Sequence, residues 1–148
     1  MKTSDDAWLT PMLLLWVVSL MATLGSLFFS EVMGLPPCVL CWYQRVCMYP
    51  LVVISTVALV TRDRRGATYA WPLALGGVVV AGYHNLLYYH LIPESITPCA
   101  AGVSCTDRQI EWLGFITIPL LALASFVTVV GCLVWFQSRV KETVLANQ

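Results

Sequence analysis

Four of the six cysteines stand as two close pairs, Cys38-Val39-Leu40-Cys41 and Cys99-Ala100-Ala101-Gly102-Val103-Ser104-Cys105. Pro36 and Pro37 precede the first pair, and proline is favoured at the first position of a helix, so the C-x-x-C is expected in a first helical turn. A thiol there meets the positive end of the helix dipole, which favours the thiolate and makes the sulfur a competent nucleophile or leaving group. Arg45 follows Cys41 by one turn and, at about 100° per residue, lies roughly 40° round the helix from it. A permanent cation on that face steadies a thiolate, or an oxyanion on a bound molecule. The second pair closes a short loop in which Gly102 supplies the turn. So short a loop gives its disulfide little chain-entropy stabilisation, which suits exchange better than bracing. A bare C-x-x-C is shared by redox centres, structural disulfides and zinc sites. The spacing of Cys99 and Cys105 is long for a zinc knuckle and neither cysteine-bearing segment holds a histidine, so no metal is expected. Cys47 and Cys132 fall within apolar stretches and read as small packing residues.

The elements that must position these thiols are membrane helices. Of 148 residues, 59% are hydrophobic and only 11% charged, and the mean hydropathy is +0.78. A soluble domain carries about a quarter charged residues, so this composition excludes a water-facing surface. Net charge is zero, which removes the basic excess of a nucleic-acid binder. About 20 apolar residues cross a bilayer as a helix. Four stretches qualify, at about 8–30, 42–60, 69–92 and 113–136, and their only charged residue is Arg45. The first is too long for a cleaved signal peptide and is read as a retained helix. Because lipid leaves no backbone group unsatisfied, the expectation is an all-α membrane protein, a single four-helix transmembrane bundle. Gly76, Gly77 and Gly82, with Ala122, Ala124 and Ser125, are the small residues expected to let helices approach; Trp8, Tyr69, Trp112 and Trp135 read as interfacial anchors.

Charge orients the bundle. Six of the eight basic residues lie at the two chain ends and in the connection Thr61 to Gly66, whereas the connections at about 31–41 and 93–112 hold Glu31, Glu94, Asp107 and Glu111 against Arg108 alone. By the positive-inside rule both termini are cytoplasmic and the two acidic connections face outward. Both cysteine pairs then sit on the face where disulfides persist. Two exchangeable pairs on one face form a relay, because a disulfide moves by thiolate attack through a mixed disulfide.

Pro37-Cys38-Val39-Leu40-Cys41-Trp42-Tyr43-Gln44-Arg45 resembles the P-C-x-L-C-x-x-x-R signature of the DsbB family of disulfide bond formation proteins. Cys99-x5-Cys105, followed by Ile110-Glu111-Trp112-Leu113-Gly114-Phe115-Ile116-Thr117-Ile118-Pro119, is similar to the short BdbC branch of that family. In the longer DsbB pattern the two loop cysteines are widely separated. The resemblance implies a membrane thiol:quinone oxidoreductase, multi-pass in the bacterial cytoplasmic membrane, that reoxidises a secreted thioredoxin-fold thiol oxidase of the DsbA/BdbD kind. It implies ubiquinone or menaquinone as cofactor. It further implies attack by the partner at Cys99 of the Cys99–Cys105 disulfide, exchange of the loop pair with Cys38, and a quinone facing Cys41 and Arg45. His84 and His90, near the outward end of the third segment, are candidate donors to that quinone. Two other readings stand beside it: a quinone reductase of the vitamin K epoxide reductase type, in which the quinone-facing C-x-x-C lies late in the chain, and a structural tetraspan whose disulfides brace its loops.

Overall fold

The computed structural model describes residues 6–92, 111–112 and 116–146. Among them run four long helices: α1 (Leu9–Leu27), continued by a π-helical turn (Phe28–Val32), α2 (Val39–Thr61), α3 (Gly66–Tyr88) and α4 (Ile118–Ala146). Each packs on the next and α4 returns to α1, which closes a four-membered ring. The apolar length of the helices explains their exposed surface. Met21, Val53, Val60, Val79 and Leu121 all point outward, as they do when lipid and not water is outside. Three helical stretches, Leu9–Val32, Val39–Thr61 and Ile118–Leu145, are long and apolar enough to cross a membrane. α3 matches α2 at 23 residues, but His84, Asn85 and three tyrosines lower its hydropathy.

Inside the ring, Leu51, Ala74, Val129 and Leu133 are completely buried. Gly77 is the position at which α3 and α4 come together: a Cβ there would run into the Phe126 ring. Gly82, expected to serve the same purpose, faces open space instead. Asn85 Nδ2 donates to the carbonyls of Ala81 and Pro119 at 2.8 Å each, tying the end of α3 to the start of α4.

Three boundaries differ from the sequence reading. α2 begins at Val39, ahead of Trp42, because Cys38 caps it. α4 begins at Ile118, beyond Leu113, because Glu111–Trp112 and Ile116–Thr117 pair as a two-residue antiparallel ladder, β1 and β2, just before it. Its last turns run past Phe136 into polar sequence, where Arg139 meets Glu142 at 3.2 Å. At the arginine-rich end, α2 stops on Arg62 in the left-handed region (φ 54°), and Asp63 N–H donates to Ala58 O. Trp8 is not an interfacial anchor as expected: it is 5% exposed, edge-on to Phe136 at 5.9 Å and beneath Arg64, so it seals this end of the bundle.

Candidate functional site

At the opposite end, Gly34 to Pro37 lead into Cys38, whose extended backbone (φ −70°, ψ 168°) places it outside the helix as its N-cap. The role usually taken by a serine or aspartate oxygen falls to its sulfur, which accepts the Cys41 N–H at 3.3 Å. Cys41 Sγ lies 2.8 Å from Cys38 Sγ. Leu40 and Leu87 close over Cys38, leaving it 6% exposed. From α3, His84, itself 2% exposed, brings Nε2 to 3.9 Å from the same sulfur. The other ring nitrogen of His84, Nδ1, accepts from Gln44 Nε2 at 3.0 Å. An amide nitrogen can only donate, so in the neutral ring the hydrogen sits on Nε2 and points at Cys38. The Cys41 thiol hydrogen bond, reinforced by His84 and the capping N–H against the cost of burial, holds the Cys38 thiol down at about 4, so its thiolate is the resting form.

Cys41 faces the other way, into a cavity of about 520 Å³ walled by α1, α2 and the start of α4. Val18, Ala22 and Phe29 form its apolar side, Gln44 and Arg45 its polar end, and Phe126 lies against it; exposed Val17, Met21 and Leu121 mark a lateral opening between α1 and α4. Arg45 is held in place: Nε donates to Ser26 Oγ and Nη2 to Ser26 O, both at 2.9 Å, and its guanidinium stands 5.3 Å over the Trp42 ring. The π-helical turn starts just beyond Ser26, and the Ser26 carbonyl also accepts from Ser30 Oγ at 3.3 Å. Such a turn re-aims backbone acceptors without ending the helix. The Tyr49 hydroxyl in this cavity's wall is buried with no hydrogen-bond partner among the described residues.

Of the residues singled out from the sequence, the fold gathers Cys38, Cys41, Arg45 and His84 at one end of the bundle. His90 lies beyond α3, exposed in a left-handed turn (φ 56°). Cys99 and Cys105 lie outside the described residues. Cys132 packs in the core and Cys47 lies 3.8 Å from the position of a Cβ on Gly76, as packing residues do. Sequence reasoning missed Gln44, Ser26 and Tyr49. Gln44 carried a signal, being an uncharged polar residue in an apolar helix one turn from Cys41; Ser26 and Tyr49 carried none. The Sγ atoms of Cys38 and Cys41 and a ring nitrogen of His84 all lie within 4.8 Å of one another, a grouping of metal-ligand type that the sequence reading did not see.

The family model described as disulfide bond formation protein DsbB matches residues 9–136. Disulfide bond formation protein C of Bacillus subtilis is 46% identical over 117 residues, covering 78% of this chain and 83% of that protein. Probable disulfide formation protein C 1 of Bacillus anthracis is 44% identical over 117 residues, 79% of this chain and 84% of its own. A probable disulfide formation protein of Metapseudomonas resinovorans is 43% identical over 129 residues, 86% and 90% of the two chains. No solved structure matches the chain.

Proposed function

This chain belongs to the DsbB family of disulfide bond formation proteins, and from that premise we propose that it reoxidises a secreted thioredoxin-fold thiol oxidase of the DsbA/BdbD kind and passes the electrons to a membrane quinone. Family and helices make it a bacterial membrane protein with a disulfide-forming, oxidoreductase role. In this reading α3 is the fourth span of one transmembrane domain and both ends of the bundle's chain are cytoplasmic, so that the C-x-x-C end faces outward with the loop pair. The observation that carries the proposal is the division of the cysteine pair: Cys41, and not Cys38, opens on the cavity that Arg45 also lines.

That cavity suits a quinone. Its walls are largely apolar, its polar end offers the Arg45 and Gln44 donors, and the Tyr49 hydroxyl has no partner among the described residues. A quinone bound there, ubiquinone or menaquinone, supplies a two-electron oxidant for the dithiol. The chain's own residues do the rest. The partner's thiolate attacks Cys99 of the Cys99–Cys105 disulfide, and the partner's second thiol resolves the mixed disulfide, leaving the partner oxidised and the loop pair reduced. A loop thiolate then attacks Cys38 of the Cys38–Cys41 disulfide and frees Cys41; the second loop thiol closes the loop disulfide and leaves Cys38 and Cys41 as a dithiol. Arg45 steadies negative charge at the cavity's polar end. The Cys38 thiolate, 2.8 Å from Cys41 Sγ, closes the disulfide as the electron pair leaves through Cys41. His84 orients and stabilises that thiolate. His90, the other candidate, contributes no contact to this arrangement among those described.

The test is quinone reduction by purified protein with a reduced thioredoxin-fold oxidase, followed by loss of quinone absorbance. Wild type turns over, and Cys41→Ser falls to background. Equal rates for the two, or no turnover by wild type, would sink the proposal.

A further inference from the structure

We propose that the reduced protein binds a thiophilic divalent cation, Zn²⁺, through Cys38 Sγ, Cys41 Sγ and His84 Nε2, leaving the fourth coordination position open toward the cavity. The three donor atoms come from two helices and already lie within 4.8 Å of one another. Zinc holds sulfur at about 2.3 Å and imidazole nitrogen at about 2.0 Å in a tetrahedron, which sets its ligand atoms roughly 3.5 to 3.8 Å apart. Cys38 Sγ and His84 Nε2, at 3.9 Å, stand close to that separation. The two sulfurs, at 2.8 Å, must spread by about 1 Å to reach it. Cys41 has the room, because its side turned to the cavity is open.

The imidazole is oriented for the task. A ligating histidine is held by a partner on its other nitrogen, and Gln44 already occupies that position on Nδ1 at 3.0 Å. Rotating the Gln44 amide by half a turn presents its carbonyl oxygen to an Nδ1 hydrogen and frees the Nε2 lone pair for the metal. The ring and both α-helical backbones stay where they are. Gln44 therefore matches His84 to either occupant, a thiolate or a cation. This donor set differs from the four-thiolate site weighed from sequence, since its histidine comes from α3 and not from a cysteine-bearing loop.

No electron moves on binding: a ligating thiol gives its proton to the solvent and the sulfur takes the metal in its place. The disulfide form has no thiolate to offer, so the site exists only in the dithiol state. Bound zinc locks that state and removes the cysteine pair from exchange.

Metal content is measured on the full chain in detergent, reduced or oxidised, after equilibration with Zn²⁺ alone. About one equivalent is expected on the reduced chain and none on the disulfide form, and Co²⁺ should give thiolate-to-metal absorption in a tetrahedral field. The Cys99→Ser/Cys105→Ser double variant should keep the equivalent. Gln44→Leu should weaken affinity about 10- to 100-fold, and His84→Ala by more. Unchanged affinity in both Gln44→Leu and His84→Ala, or loss of the metal in the loop double variant, overturns the proposal. Should His84→Ala fail to fold, the Gln44→Leu affinity and zinc protection of the loop double variant against maleimide decide it: no protection means no site. These readings use no quinone, so they stand or fall apart from the quinone activity.

Discussion

The first turn of α2 has two sides that differ in closure. On the α3 side, Cys38 is shut beneath Leu40 and Leu87 and engaged by His84, which Gln44 orients. On the α1 and α4 side, Cys41 opens on a largely apolar cavity whose polar end is formed by Arg45 and Gln44. Two sulfurs within one helical turn thus receive opposite surroundings: one is stabilised as an anion and kept from solvent, the other is presented to whatever fills the cavity. The lesson is that a C-x-x-C pair sharing one helix dipole is differentiated by the hydrogen bonds each sulfur receives, here from the Cys41 thiol first and His84 next, and by the neighbouring helix each cysteine meets.

This contrast can be broken by mutation. Cys41→Ser, which leaves the closed side intact, should reduce quinone reduction to background. Arg45→Met removes the charge and both bonds to Ser26, and kcat/KM for quinone should fall about a hundredfold; Arg45→Lys, which retains charge without the fork, should fall between. A smaller effect on the closed side is read by pH. An ordinary thiol near 8.5 gains alkylation rate about tenfold per pH unit below its pKa. Cys38 is held at about 4 and so remains thiolate throughout pH 5 to 8. Its iodoacetamide modification in the reduced protein, followed by mass spectrometry, should be flat across that range and decline only as pH falls through the lowered value. Smallest is Gln44→Leu, which removes one neutral hydrogen bond worth about 1 kcal/mol, or roughly fivefold in the exchange rate at Cys38. Equal loss at Cys38 and in quinone KM in His84→Ala, whose side chain meets Cys38 and does not line the cavity, would show that the two sides are not separate.

Much of this was legible in sequence because it depends on local spacing. The apolar stretches, the proline-led C-x-x-C and the Arg45 one turn on are written along a single helix or its boundary. Contacts between helices were not. His84 and His90 both sit near the end of the third apolar stretch, and nothing in their order says that α3 stops at Tyr88, which leaves His84 inside the ring and His90 in the turn beyond. Trp8 read as an anchor because Phe136, which buries it, lies at the far end of the chain. The π-helical turn at Phe28–Val32 has no pattern of its own, yet it lies beside the carbonyl that receives Arg45.

The sulfur cap on α2 ties chemistry to the backbone. The Cys41 amide donates to Cys38 Sγ at 3.3 Å, and a thiolate accepts more strongly than a disulfide sulfur. Each reduction therefore tightens the first turn of a helix that reaches the other end of the bundle, and each oxidation slackens it. Hydrogen–deuterium exchange at the Cys41 amide should slow on reduction, making the redox state of the pair readable from a single peptide group without a chromophore.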